Sequence, residues 1–134
     1  MTMLETVQDP TPRPPVRRRP RKPKTEAEQL CLLMQGAIAA AFAVSLRDLR
    51  ARTRRSPEAA FARQAAMYLA HVVLQQNYRD TGRLFGRDRT TAAYACALVE
   101  ERRDDPALDA LLQTLENVCL ELARDLSAKP EARA

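Results

Sequence analysis

Aromatic side chains and glycine are scarce in this chain. Three Phe, three Tyr, no Trp and three Gly stand among 134 residues. Ala and Leu dominate the apolar set instead. Both lose little entropy in a helix and pack poorly as pleated surface, so helices are favoured over strands. No apolar run approaches the length of a bilayer span, and no basic-then-apolar leader opens the chain. A soluble cytoplasmic protein of one domain is expected. Metal ligands are equally sparse. The single His71 has no Cys, Asp or Glu at ligand spacing on its own helix, and Cys31, Cys96 and Cys119 form no Cys-x-x-Cys pair. The three cysteines fall among apolar residues and read as reduced, buried, small hydrophobes. No metal and no cofactor is expected.

What the chain does have is arginine, unevenly placed. The net charge is +5. Residues 1–24 carry seven basic and two acidic side chains. Residues 44–103 hold twelve Arg, no Lys and six acids, whereas residues 104–134 hold three basic and seven acidic side chains. A basic centre between acidic flanks, preceded by a basic tail, points to an anionic partner, of which nucleic acid is the commonest. Six of the nine prolines lie in the first 24 residues, where no apolar period exists. A disordered Pro/Arg-rich tail is predicted there. Its run RPPVRRRPRKPK suits a nonspecific electrostatic arm on DNA; it lacks the central Gly of an AT-hook. The helical domain is predicted over residues 25–128, with a flexible C-terminus at 129–134.

Capping signals divide that domain into about six helices. Thr25 with Glu28 makes a capping box. Leu30, Leu33, Met34, Ala37, Ile38 and Ala41 then recur three and four apart, giving an amphipathic helix over about 26–42. Ser45 with Asp48 opens a short helix ending near Arg50, followed by the Arg-rich loop RARTRRSP. Ser56 caps a third helix that has Pro57 in its first turn and runs to about Gln75. Its apolar positions include Ala65, Ala66, Leu69, Val72 and Val73. Asn77 caps a fourth helix ending at Gly86, and Asp88 caps a fifth running to about Arg102. Asp105 and Pro106 open the last helix. Its Leu108, Leu112, Leu115, Cys119, Leu122 and Leu126 alternate four and three apart. That spacing fits packing against the first helix, or a coiled-coil seam between two copies.

The stretch DTGRLFGRDRTTAAYAC, residues 80–96, reads as a helix-turn-helix. Ala92, Ala95, Cys96 and Val99 give its second helix a core face. Arg89, Thr90 and Thr91 fall in the first turn, where recognition helices meet base edges. Arg can donate two hydrogen bonds to guanine, and a Thr methyl can touch the methyl of thymine.

These residues resemble the C-terminal DNA-binding domain of the bacterial replication initiator DnaA, in the Trp-repressor-like helix-turn-helix class. The resemblance rests on Phe85, Gly86, Arg87, Asp88, Arg89, Thr90, Thr91, Ala95 and Cys96. Upstream, Phe42, Val44, Ser45, Asp48 and Leu49 take part, and then Arg63, Gln64, Ala66, Met67, Leu69 and Ala70. It covers about residues 30–112 and is strongest to short relatives that keep only this domain. The resemblance implies an all-α bundle that binds double-stranded DNA at sites related to the DnaA box. It also implies roles for residues. Asp88, Thr90 and Thr91 match positions contacting bases or backbone in the major groove, beside Arg87. Arg89 stands where a base-contacting His is usual. Arg52, Arg54 and Arg55 match the loop that enters the minor groove. Arg63 and Gln64 match the start of a helix touching phosphates, and His71 matches a backbone-contacting position.

There are departures. One Gly is missing before Arg87, Ala97 and Leu98 replace basic positions, and Thr81 replaces an apolar one. The family's ATP-binding module is absent: no Gly-rich loop with Lys and Ser or Thr occurs. A regulator of replication initiation or transcription that works without ATP hydrolysis is expected, and not an enzyme. The alternative is a helical protein-interaction adaptor with a degenerate DNA face.

Overall fold

The computed structural model describes residues 25–53 and 56–127. The predicted proline-rich tail, Arg54, Arg55 and the C-terminal segment from residue 128 lie outside the described residues. The described residues form six helices and no strand: α1 (Glu26–Ala41), α2 (Leu46–Arg50), α3 (Pro57–Leu74), α4 (Tyr78–Leu84), α5 (Arg89–Arg102) and α6 (Pro106–Ser127). None of them is long and apolar enough to cross a membrane.

Five helices begin where the capping residues place them. The side chains of Thr25, Ser45, Ser56, Asn77 and Asp88 each accept from a backbone N–H two or three residues into the helix, at 2.7–3.1 Å. The Thr25–Glu28 box is reciprocal, because Thr25 N donates to Glu28 Oε1 at 2.8 Å. Such caps satisfy donors that the first turn leaves without partners. Asp105 Oδ1 similarly accepts from Ala107 N at the start of α6.

α3 is the central helix. Ala59, Ala62, Ala65, Ala66, Met67, Leu69 and Ala70 are all buried, because α1, α2, α4, α5 and α6 pack around it. Its many alanines let neighbouring backbones approach. Met34, Ile38, Leu49, Leu69, Val99 and Leu112 close a common core. Each large aliphatic side chain so buried contributes about 1.5–3 kcal/mol. The seam of α6 is used within the chain: Leu112, Leu115 and Cys119 are buried against α1 and α3. All three cysteines are free and buried, and burial pushes their thiols up to about 11. They are protonated at neutral pH and correspondingly unreactive.

Two apolar faces differ from the sequence reading. In α1 the buried row is Leu30, Cys31, Met34, Gln35, Ile38 and Ala39, while Leu33 and Ala41 are exposed and Ala37 is half-buried. The helix is turned so that Gln35 faces inward, where its amide carbonyl takes a hydrogen bond from Arg50 Nε at 2.7 Å. In α3, Val72 is exposed, while the following Val73 and Leu74 pack against the core.

The turn between α4 and α5 is tightly constrained. Gly86 takes the left-handed conformation (φ 67°). Arg87 N donates to Gly82 O at 2.8 Å and Gly86 N to Arg83 O at 3.2 Å. This paired closure is a Schellman motif, which needs a residue at ease with positive φ. Gly82 has a second duty. A Cβ there would lie 2.7 Å from the carbonyl oxygens of both Arg87 and Asp88. Backbone cannot yield as a flexible side chain can, so α4 sits at this height on the turn only because residue 82 is glycine. Gly86 faces open space. Gly82→Ala should therefore lower the unfolding free energy by about 1–3 kcal/mol, as overpacking does. Gly36→Ala, in the middle of α1 with nothing within 4 Å of the added Cβ, should raise it by about 0.5–1 kcal/mol. Urea unfolding of the two variants beside the parent checks both signs.

Candidate nucleic-acid interface

α5 divides its faces sharply. Ala92, Ala95, Cys96 and Val99 are buried, as the helical spacing requires. Arg89, Thr90 and Thr91 form an exposed first turn. Asp88 caps that turn by accepting from Thr91 N at 2.8 Å. The bond from the Thr91 backbone N–H, helped by the Thr91 hydroxyl, holds the Asp88 carboxyl below its ordinary value. The cap is thus ionised at neutral pH, and its charge suits the positive end of the helix dipole.

Arg87 reaches back to the Arg-rich loop. Its Nη2 donates to Ala51 O at 3.0 Å, so the start of that loop is tied to the turn that opens α5. Arg52, the next residue, is exposed. Gln64, on α3, lines a groove of about 300 Å³ with Tyr94, Leu98 and Arg102 of α5. The structure therefore gathers Arg87 to Thr91 in one turn, with Arg52 on the adjoining loop and Gln64 beside the middle of α5.

Arg63 and His71 are placed elsewhere. Arg63 is 9% exposed. Its Nε donates to Leu49 O at 2.8 Å and its Nη2 to Asp48 O at 2.9 Å. This guanidinium satisfies carbonyls at the end of α2, so it positions the Arg-rich loop from inside the molecule. Burial, and after it the charge of Arg87, hold its pKa below the usual arginine value. His71 is half-buried at the junction of α3 and α4. Its Nδ1 lies 2.7 Å from Gln76 O, and its ring stacks on Tyr78 with centroids 4.5 Å apart. A carbonyl only accepts, so Nδ1 carries a proton in this arrangement.

Thr81 is fully buried, and its hydroxyl lies 3.4 Å from Gln76 O. The polar replacement therefore sits near an acceptor within the core. The sequence reading passed over Tyr94, which is 63% exposed. It lies three residues after Thr91, on the same side of α5, and a helical projection from Thr91 would have found it. Among the described residues, no three His, Cys, Asp or Glu side chains gather as a metal site would need.

Residues 33–99 match the family described as bacterial DnaA protein helix-turn-helix. The chain belongs to this family. Its relatives include the chromosomal replication initiator protein DnaA 2 of Chlamydia muridarum, 32% identical over 102 residues, or 76% of this chain and 21% of the relative. The DnaA protein of Treponema denticola is 32% identical over 91 residues, 66% of this chain and 19% of the relative. That of Caulobacter sp. strain K31 is 44% identical over 64 residues, 46% of this chain and 13% of the relative. The chain thus spans about a fifth of the length of the first of these initiators. The matched DnaA-type span runs from within α1 to near the end of α5, and α6 lies beyond it.

The Asp88 cap gives this DnaA-type turn a pH signature. A carboxyl whose folded pKa is lowered adds stability above its unfolded value, 3.8, and that stability is lost as pH falls through the lower folded value. Asp88→Asn keeps a side-chain acceptor but removes the titration. Its melting temperature should lie below the parent's at neutral pH and converge on it in acid. Thermal unfolding across the acid range checks this; parallel curves at all pH values would refute it.

Proposed function

We propose that the chain binds double-stranded DNA at sites related to the DnaA box, with the first turn of α5 in the major groove. One observation carries the reading: Arg89, Thr90 and Thr91 form an exposed turn whose backbone is fixed by the Asp88 cap and the Gly82–Gly86 closure. A recognition helix needs this combination of free side chains on a rigid start. Arg89 is the candidate base reader, through two donors to one guanine. Thr90, Thr91 and Tyr94 extend the contact along the helix. Arg52 contacts the adjacent minor groove, and Arg87 holds the loop in register through Ala51. Arg63 acts by positioning the same loop. Family membership supports the reading, because the relatives are named chromosomal replication initiators.

The chain would act by occupancy, as a regulator of replication initiation or transcription, without hydrolysing nucleotide. No Gly-rich loop with Lys and Ser or Thr stands in the sequence to hold a triphosphate.

Binding should weaken steeply with salt, because each phosphate contact releases counterions. Site selection on random duplexes, at one salt concentration, separates base reading from charge. Arg89→Ala should relax the preference at one base pair and lose about 1–3 kcal/mol at the best site. Arg89→His should shift the preferred sequence toward that of initiators with His at this position. Identical selected sequences for all three proteins would reduce Arg89 to a phosphate contact. No selected sequence from the folded parent would favour the adaptor reading, in which the groove beside Tyr94 and Leu98 receives a protein partner.

A further inference from the structure

A second feature lies beside this face and shares Arg87 with it. A half-open cavity of about 440 Å³ is walled by α1, α2, α3 and the turn before α5. Three arginines from three different segments line it: Arg50 of α2, Arg63 of α3 and Arg87 of the turn. Among the described residues, none of the three is ion-paired with a carboxylate. Each is held by neutral oxygen alone. Arg50 donates to Gln35 Oε1, Arg63 to the carbonyls of Leu49 and Asp48, and Arg87 to that of Ala51.

Those bonds orient the three forks and leave their charge uncompensated. A guanidinium has five N–H donors, and the bonds just named use one or two of each. Like charges so placed repel, and the Arg63 pKa is lowered partly by the Arg87 charge. Arg63 is also largely out of water, so solvent screens it poorly. A cavity of this size admits a small ligand. Leu84 and Phe85 give it an apolar wall, and no acidic side chain lines it. Guanidinium forks match the oxygens of tetrahedral oxyanions in geometry as well as charge.

We infer that the cavity between Arg50, Arg63 and Arg87 is a binding site for a polyvalent phosphate-class anion. The occupant bridges α2, α3 and the turn that opens α5. It neutralises the repulsion among the three arginines and locks the Arg-rich loop against the helix-turn-helix. The phosphate is supplied either by a free small molecule or by the backbone of bound DNA.

Inorganic pyrophosphate is the probe. Added to the full chain, it should raise the melting temperature saturably, beyond sodium chloride of equal ionic strength, as a ligand that binds only the folded state does. Arg50→Gln, at an exposed position, should weaken the apparent pyrophosphate affinity about tenfold or more. Arg47→Gln, on the same short helix but outside the cavity lining, should leave it unchanged. No saturable shift beyond the salt control, or an equal shift in Arg50→Gln, overturns the inference. A duplex titration at saturating pyrophosphate then separates the sources. If parent and pyrophosphate form a ternary complex with DNA, the site takes a free phosphate. If pyrophosphate displaces DNA from the parent and not from Arg50→Gln, a DNA phosphate fills it.

Discussion

The absence of a single side chain, at Gly82, sets the geometry on which the candidate interface depends. α4 approaches the following turn so closely that a methyl group at this position would strike two backbone carbonyls at 2.7 Å. The same residue accepts the Arg87 N–H through its own carbonyl. Close approach and hydrogen bond together fix where the chain leaves α4 and at what angle α5 begins. Asp88, the residue that caps α5, is one of the two whose carbonyls press on Gly82. The exposed turn Arg89–Thr91 therefore inherits its position from a contact that contains no side chain at all. Packing below it completes the arrangement, since Ala92 and Ala95 rest on Met67 and Phe85.

Arginine serves two purposes in this fold, and the chain separates them by burial. Arg63 and Arg103 are used inward. Arg63 donates to the carbonyls of Leu49 and Asp48 at the end of the short α2, the second of which also takes the Ala51 N–H. Arg89 and Arg52 stand outward, and among the described residues no side-chain hydrogen bond or ion pair claims them. Arg87 belongs to both sets: one donor is spent on Ala51 O, and the rest of the group borders the cavity it shares with Arg50 and Arg63. A guanidinium suits this double use because its donors are fixed in a plane and its charge persists when partly buried.

The parts of this architecture that were legible in the sequence are those governed by local rules. Thr25, Ser45, Ser56, Asn77 and Asp88 each announce a helix start, because a side-chain oxygen followed by free N–H groups has one efficient use. The buried face of α5 was equally legible, since its apolar residues repeat three and four apart and sit opposite Thr90. α1 was not, and the reason is its alanine content. Apolar residues occur on every side of it, so spacing alone could not choose between the row through Leu33 and the row through Cys31 and Gln35. Tertiary packing made the choice, and in it Gln35 meets Arg50, fifteen residues away. The burial of Arg63 was hidden for a similar reason. An Arg near a helix start reads as surface, and its burial follows only from meeting the carbonyls of α2. Ala43 and Gln75 gave no signal either, although both take positive φ at helix ends. In a chain with three glycines, other residues must accept that strain.

α6 shows why the candidate interface is more than its helix-turn-helix. The family match ends at residue 99, before α5 itself ends. At that far end Arg103 donates to Tyr68 Oη of α3 at 3.0 Å and to Asp109 and Glu116 of α6. Its guanidinium also lies 5.8 Å from the Tyr68 ring centroid. Tyr68 in turn donates to Glu100, one turn back along α5. Arg103 is only 14% exposed, so these partners hold a charge that water reaches poorly. Removing its acidic partners would leave the Arg103 charge less well compensated, an effect that water tempers on the half-exposed Asp109 side. α5 is therefore fixed at both ends: by backbone closure at Gly82 and by this charged cluster at Arg103. A rod pinned twice cannot swivel about its first turn, and a reading helix must keep its side chains in register with base pairs. α6 contributes to that register without standing anywhere near Arg89 in sequence, through two carboxylates placed on its first half.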